Sequence, residues 1–198
     1  VLLKSGPNLF AWRSIRAACP DLVIVHLVRD PRAVWESQRR TERPHHPGQT
    51  IGWYGPLVCG AIWRRYQSAA AAAAAAGVPV LSVAYEALVD DPDREVGRVA
   101  GFLECTRVGG GGPEVGYAVP ESERSIHAGA ASSTISPERV EQWRTRLGSA
   151  EIAAVEAGAG RAMVAAGYSP LSGPIGRAAA RVGQAPRAFS ALVRRALR

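Results

Sequence analysis

The sequence predicts an α/β domain whose parallel sheet is flanked by helices. Two observations carry that reading. Leu22–Val28 is an apolar run broken only by His26, and Val78–Ala84 is a second short apolar run; both read as strands covered on two faces. Helix-start chemistry follows each of them, Asp30-Pro31 directly after the first and Asp91-Pro92 soon after the second. Strands that alternate with helices in this way build a parallel sheet.

The elements follow in order. Val1–Lys4 has strand character. Asn8–Cys19 reads as a helix, with Asn8 as its N-cap and Pro20-Asp21 as its stop. At Asp30-Pro31 the aspartate can accept first-turn N–H groups, and proline fits the first helical position. Residues 43–56 are rich in Pro, Gly and His and read as a loop. Leu57–Ala76 is a long helix that Gly77 ends. The helix after Asp91-Pro92 carries Val96, Val99, Phe102 and Leu103 on its apolar face. Thr106–Ser133 is irregular and holds the glycine run 109–112. Ser136-Pro137 starts a helix that reaches Leu147, and Ser149–Gly167 forms another. Residues 1–170 are thus expected to form one α/β unit, with 171–198 as a basic helical tail. Two or three strands make a thin sheet, and the chain opens on one without a leader. The expectation is a sheet incomplete at the N-terminus, with some upstream part of the domain absent.

Charge narrows the function classes. The net charge is +7, but from Gly173 onward there are six arginines and no acid. The tail supplies +6 of the +7, so the body is nearly neutral and no nucleic-acid partner is expected. Peripheral membrane contact through 173–198 is the minority reading beside a solvated basic face. Lys4 is the sole lysine among 24 basic residues, which sets it apart in an arginine-biased chain. Cys19, Cys59 and Cys105 are far apart, so neither a disulfide framework nor a zinc site follows, and a cytoplasmic setting is expected. His45-His46 lies between prolines without further ligands at metal spacing, and no metal is expected. The run Ala69–Ala76 is too short and too weakly apolar to span a bilayer.

The chemistry concentrates in VIVHLVRDPRAVWES, residues 23–37. In open parallel sheets ligands bind beyond the carboxyl ends of the strands, and Arg29 stands at such an end. A helix starts directly after it, where free N–H groups favour anions. A guanidinium adds a planar donor fork matched to phosphate. Ser37 comes eight residues after Arg29, two helical turns on. That span is roughly 10–12 Å, so both side chains can meet around one phosphate. The plainer alternative pairs Arg29 with a carboxylate and leaves Ser37 an ordinary helix serine; the combined context favours the anion.

HLVRDPRAVWES resembles the 3′-phosphate-binding motif of sulfotransferases that use 3′-phosphoadenosine 5′-phosphosulfate (PAPS). Three further segments agree in order. LKSGPN at 3–8 is similar to the family's Lys-Ser/Thr-Pro-Asn segment, with Gly6 as a departure; SVAYEALVDDP at 82–92 is similar to its strand-Tyr-Glu-x-Leu-x-x-Asp-Pro segment; and 136–147, with Trp143-Arg144, is similar to its late Trp-Arg helix. The likeness covers roughly residues 1–168. It implies a P-loop-type fold and PAPS as co-substrate, with no metal. It implies that Arg29 and Ser37 hold the 3′-phosphate and that Tyr85 lies near the adenine, although a tyrosine anchoring a strand end would look the same. It implies that Lys4 reaches the transferred sulfuryl group; a surface lysine is the alternative. Glu86 reads as tying down local backbone, Trp143 as packing, His26 as a core residue and His127 as a surface histidine. Trp53-Tyr54 either lines an acceptor pocket or anchors a loop.

The family's Gly-Thr-rich 5′-phosphosulfate loop has no counterpart in the sequence. The expected function is sulfuryl transfer from PAPS to an acceptor hydroxyl or amine on a small molecule or glycan, with this chain alone weakly active or inactive. The alternatives are a non-catalytic nucleotide-binding remnant and a basic-tail module for membranes or polyanions. A nucleoside-type kinase ranks lower, because nothing resembles a γ-phosphate site.

Overall fold

A computed structural model describes residues 2–43, 46–105 and 137–184. No strand forms over Leu2–Lys4, the described part of the one expected at the start of the chain. Leu2–Ser5 carries no regular structure, and Leu2 is 89% exposed. An apolar run becomes a strand only when a neighbour takes its N–H and C=O groups. The following helix starts as a 3₁₀ turn at Gly6–Ala11, capped at Ser5 rather than Asn8, and continues as α1, Trp12–Ala18.

Strand β1 is Ile24–Val28, and α2 is Pro31–Gln38 with Asp30 as its N-cap. Residues 43–56, expected to be a loop, hold most of a short antiparallel pair instead: β2, Glu42–Arg43, and β3, His46–Thr50, with a register shift at Glu42/Arg43. Proline is tolerated there because each strand is an edge. Then come α3, Pro56–Ala75, and β4, Val80–Ala84. A helix that the sequence did not suggest, α4, Tyr85–Asp90, leaves β4 without a loop. Helix α5, Pro92–Phe102, has Asp91 accepting from the Arg94 N–H, as the Asp-Pro signal predicts. The late helix is split into α6, Glu138–Glu141, and α7, Trp143–Arg146. The next is split at Gly160 into α8, Ser149–Ala159, and α9, Arg161–Ala165. Residues 174–184 form α10.

β1 and β4 pair in parallel, Ile24 opposite Val80 through Val28 opposite Ala84. The strands were expected to be covered on both faces, but only one face of β1 is packed. Ile24 and Val80 pack around Trp12, Ala73 and Val78, and Val28 packs on Trp63, Ala159 and Met163. Val25 and Leu27, on the other face, are 40% and 55% exposed.

Helices α3 and α8 meet backbone to backbone through glycines. A Cβ on Gly60 would fall under 3.0 Å from the Val155 carbonyl oxygen and the Ala159 nitrogen, and one on Gly158 would do the same to Leu57 and Ala61. This close approach buries Ala154, Val155, Ala157 and Ala159 on α8 and Cys59 and Trp63 on α3. Each large apolar side chain withdrawn from water contributes about 1.5–3 kcal/mol. Burial pushes the Cys59 thiol up to about 12. Among the described residues no helix is long and apolar enough to cross a membrane.

Candidate functional site

The parallel register builds the site. Val28 and Ala84 are the last paired residues, so Arg29 and Tyr85 leave the sheet side by side at its carboxyl edge. The Arg29 guanidinium carbon lies 4.4 Å from the Tyr85 ring centroid. Its Nη2 donates to the Arg139 carbonyl at 2.7 Å, and the Trp63 indole N–H donates to the Arg29 carbonyl at 2.9 Å. The Arg29 Nε is buried and has no hydrogen-bond partner among the described residues. An orphaned buried donor costs about 1–3 kcal/mol. This one sits on an oriented arginine at a strand end, and the Arg39 Nε is buried without a partner among the described residues in the same way.

One residue further along both strands, the Asp30 N–H donates to Glu86 Oε1 at 2.9 Å. The Tyr168 hydroxyl donates to Glu86 Oε2 at 2.7 Å. Burial first, then this bond to a carboxylate, holds the Tyr168 hydroxyl far above the usual phenol range. Glu86 therefore ties down local backbone, as the sequence suggested, and also holds Tyr168 of the C-terminal segment.

The start of α2 departs from the expectation of free N–H groups awaiting an anion. Asp30 Oδ1 accepts the Arg32 N–H at 2.8 Å, so the helix is capped by its own carboxylate. Arg32 in turn pairs with Asp30, Nη2 to Oδ2, at 2.7 Å and with Glu156 at 2.9 Å, and its guanidinium lies 4.0 Å from the Trp143 ring centroid. Arg32 and Glu156 are 3% and 1% exposed, so these are desolvated charges held by geometry. The second arginine of Arg29-Asp30-Pro31-Arg32 is thus consumed by the fold.

The other sequence candidates are dispersed. Ser37 is half-buried on α2, and no hydrogen bond joins its hydroxyl to Arg29. Lys4 is exposed ahead of the 3₁₀ turn. Trp143 is packed at 1% exposure. His26 is half-buried, bonds Gln67 at 3.3 Å, and lines a cavity of about 590 Å³ with Ser82 and Tyr168. Burial lowers its pKa, partly offset by Gln67. The Tyr54 hydroxyl donates to Gln38 at 2.5 Å, while Trp53 is 41% exposed. His45, His127, the glycine run 109–112 and residues 185–198 lie outside the described residues.

A family model described as the Sulfotransferase family matches residues 1–107. The chain belongs to the sulfotransferase family. No curated protein and no solved structure matches it. Lys4, Arg29, Ser37 and Tyr85 all fall inside the matched span, so the strand-end cluster belongs to the part of this sulfotransferase that its family shares. Arg139, Glu156 and Tyr168, which complete the cluster and its support, fall beyond that span. No spacing rule reaches them. The one local signal was the second arginine of the Arg-Asp-Pro-Arg run, a charge next to a capping aspartate.

Proposed function

We propose that this sulfotransferase takes PAPS as sulfuryl donor and transfers to an acceptor hydroxyl or amine on a small molecule or glycan, on a P-loop-type sheet. The observation that carries the donor assignment is the Arg29 guanidinium, oriented against the Tyr85 ring at the carboxyl edge of two parallel strands. These residues fit an adenosine 3′-phosphate. Arg29 would meet the phosphate oxygens, and Ser37 would add a hydroxyl donor from α2. The Tyr85 ring supplies a flat face beside them for the base. When bound, PAPS supplies the activated sulfuryl group. The chain's own part is to bind, orient and neutralise charge. Lys4 carries the proposed role at the transferred group. A cytoplasmic setting accords with the two exposed free thiols, Cys19 and Cys105.

The test is calorimetric titration with adenosine 3′,5′-bisphosphate against adenosine 5′-phosphate. Wild-type protein should prefer the bisphosphate. Losing charge-assisted hydrogen bonds in Arg29→Ala should weaken bisphosphate binding roughly 10- to 150-fold and leave the monophosphate little changed. Equal bisphosphate affinity in the variant would sink the assignment.

A further inference from the structure

We infer that Arg32 and Glu156 are positioning residues for Arg29, and that the C-terminal segment around Leu171 and Ser172 sets how well the proposed 3′-phosphate site is formed. The inference rests on the anion-binding reading of Arg29. It goes beyond that reading by assigning a role to a part of the chain outside the family match.

The contacts form a closed circuit. Arg29 is oriented by the Arg139 carbonyl, at 2.7 Å. Arg139 lies one helical turn before Trp143, with Gln142 between α6 and α7 keeping helical geometry. The Trp143 ring lies under the Arg32 guanidinium at 4.0 Å. Arg32 is fixed to Asp30, the residue next to Arg29, through Nε at 2.9 Å and Nη2 at 2.7 Å. A shift of Arg32 therefore reaches Arg29 from two sides: along the backbone through Asp30, and through space by way of Trp143 and Arg139.

Glu156 holds Arg32 in place, and the C-terminal segment holds Glu156. Its Oε1 accepts from Arg32 Nη1 at 2.9 Å and from the Leu171 N–H at 2.8 Å; its Oε2 accepts from the Ser172 N–H at 2.8 Å. Arg32 Nη1 also donates to the Ser169 carbonyl at 3.1 Å. Every donor aimed at Glu156 requires a carboxylate oxygen. A glutamine would turn an N–H against one of them. With Glu156 1% exposed, no bulk water is at hand to repair the mismatch.

The measured quantity is the ratio of affinities for adenosine 3′,5′-bisphosphate and adenosine 5′-phosphate, taken on the 198-residue chain with folding checked by circular dichroism. Glu156→Gln should lower that ratio roughly 2- to 30-fold, the usual size of coupling along such networks. Ser172→Pro removes the backbone donor to Glu156 Oε2 while leaving every buried side chain in place, and should lower it in the same direction if Glu156→Gln fails to fold. Glu95→Gln is the control. It breaks a buried carboxylate paired with Arg94 and Arg98 on α5, and should lower the melting temperature without moving the ratio. An unchanged ratio in folded Glu156→Gln or Ser172→Pro, or an equal drop in Glu95→Gln, would show a merely structural network and overturn the inference. A wild-type protein with no preference between the ligands would instead refute the 3′-phosphate reading beneath it.

Discussion

Substituting Gly60 by alanine sets two effects of opposite sign against each other. In an exposed helix interior, Gly→Ala gains about 1 kcal/mol from backbone entropy. At Gly60 the added methyl would come under 3.0 Å from the backbone of Val155 and Ala159, and neither atom can rotate away. Helices α3 and α8 must then part by on the order of 1 Å, which forfeits about a quarter to a half of the dispersion energy across the gap. The contact includes the buried Cys59, Trp63, Ala154, Val155 and Ala157, so the loss spreads over the main helix packing of the domain. Overpacking costs about 1–3 kcal/mol, and more where only backbone can yield. After the propensity gain, a net loss of up to about 2 kcal/mol remains. For a chain of this length that lowers the melting temperature by up to roughly 8 °C. Gly97 on α5 provides the comparison: it is exposed, and a Cβ there meets nothing within 4 Å. Differential scanning calorimetry should show Gly97→Ala raising the melting temperature and Gly60→Ala lowering it. A rise in both would refute the close crossing.

Other expectations follow from the same contacts. Tyr85→Phe should keep bisphosphate affinity within about twofold while Tyr85→Leu weakens it roughly 2- to 5-fold, since the ring face is what meets Arg29; equal affinities for the wild type and both variants would remove Tyr85 from the site. His26 has its pKa lowered by burial, so the unfolded chain takes up the proton first as pH falls. Its stabilising share is complete above the unfolded value of about 6.5 and declines as pH drops from there toward the folded value. His26→Gln should flatten urea stability across that interval, and an unaltered slope would contradict the assignment. The Cys59 thiol, buried and pushed up to about 12, should resist iodoacetamide at pH 8 while the exposed Cys19 and Cys105 react, as intact-mass analysis would register. Three additions to the native protein would rule out the buried position.

Local chemistry made some of this legible in advance. Asp30 and Asp91 each cap a helix that proline opens, because an Asp-Pro pair satisfies a first-turn donor and presets φ without help from elsewhere. The alanine-rich α3 and the strand ending at Arg29 were visible for the same reason. What failed depended on distant partners. Leu2 and Leu3 look like strand residues but find no neighbouring strand among the described residues. Tyr85–Asp90 continues the apolar character of β4, so no break in pattern announced the change from strand to helix. At the site, Arg29 was readable, but Arg139, 110 residues away, was not, and the pairing of Arg32 with Glu156 spans 124 residues. The expected meeting of Arg29 and Ser37 around one phosphate rested on the strand end, the helix span between them and the motif's likeness to the family's, and it stands as part of the proposal.

The one-for-one register of β1 and β4 has a consequence for how this chain can vary in length. Arg29 meets Tyr85, and Asp30 meets Glu86, because each pair stands the same number of residues past the last rung, Val28 opposite Ala84. An extra residue at the exposed turn around Gly77, before β4 begins, can loop out and leave both pairs intact. The same residue inserted between Ala84 and Tyr85 would turn the ring away and carry Glu86 off the Asp30 amide together. Insertions and deletions should therefore collect at the entry ends of the strands, while the exit ends keep a fixed residue count even where the side chains around them change.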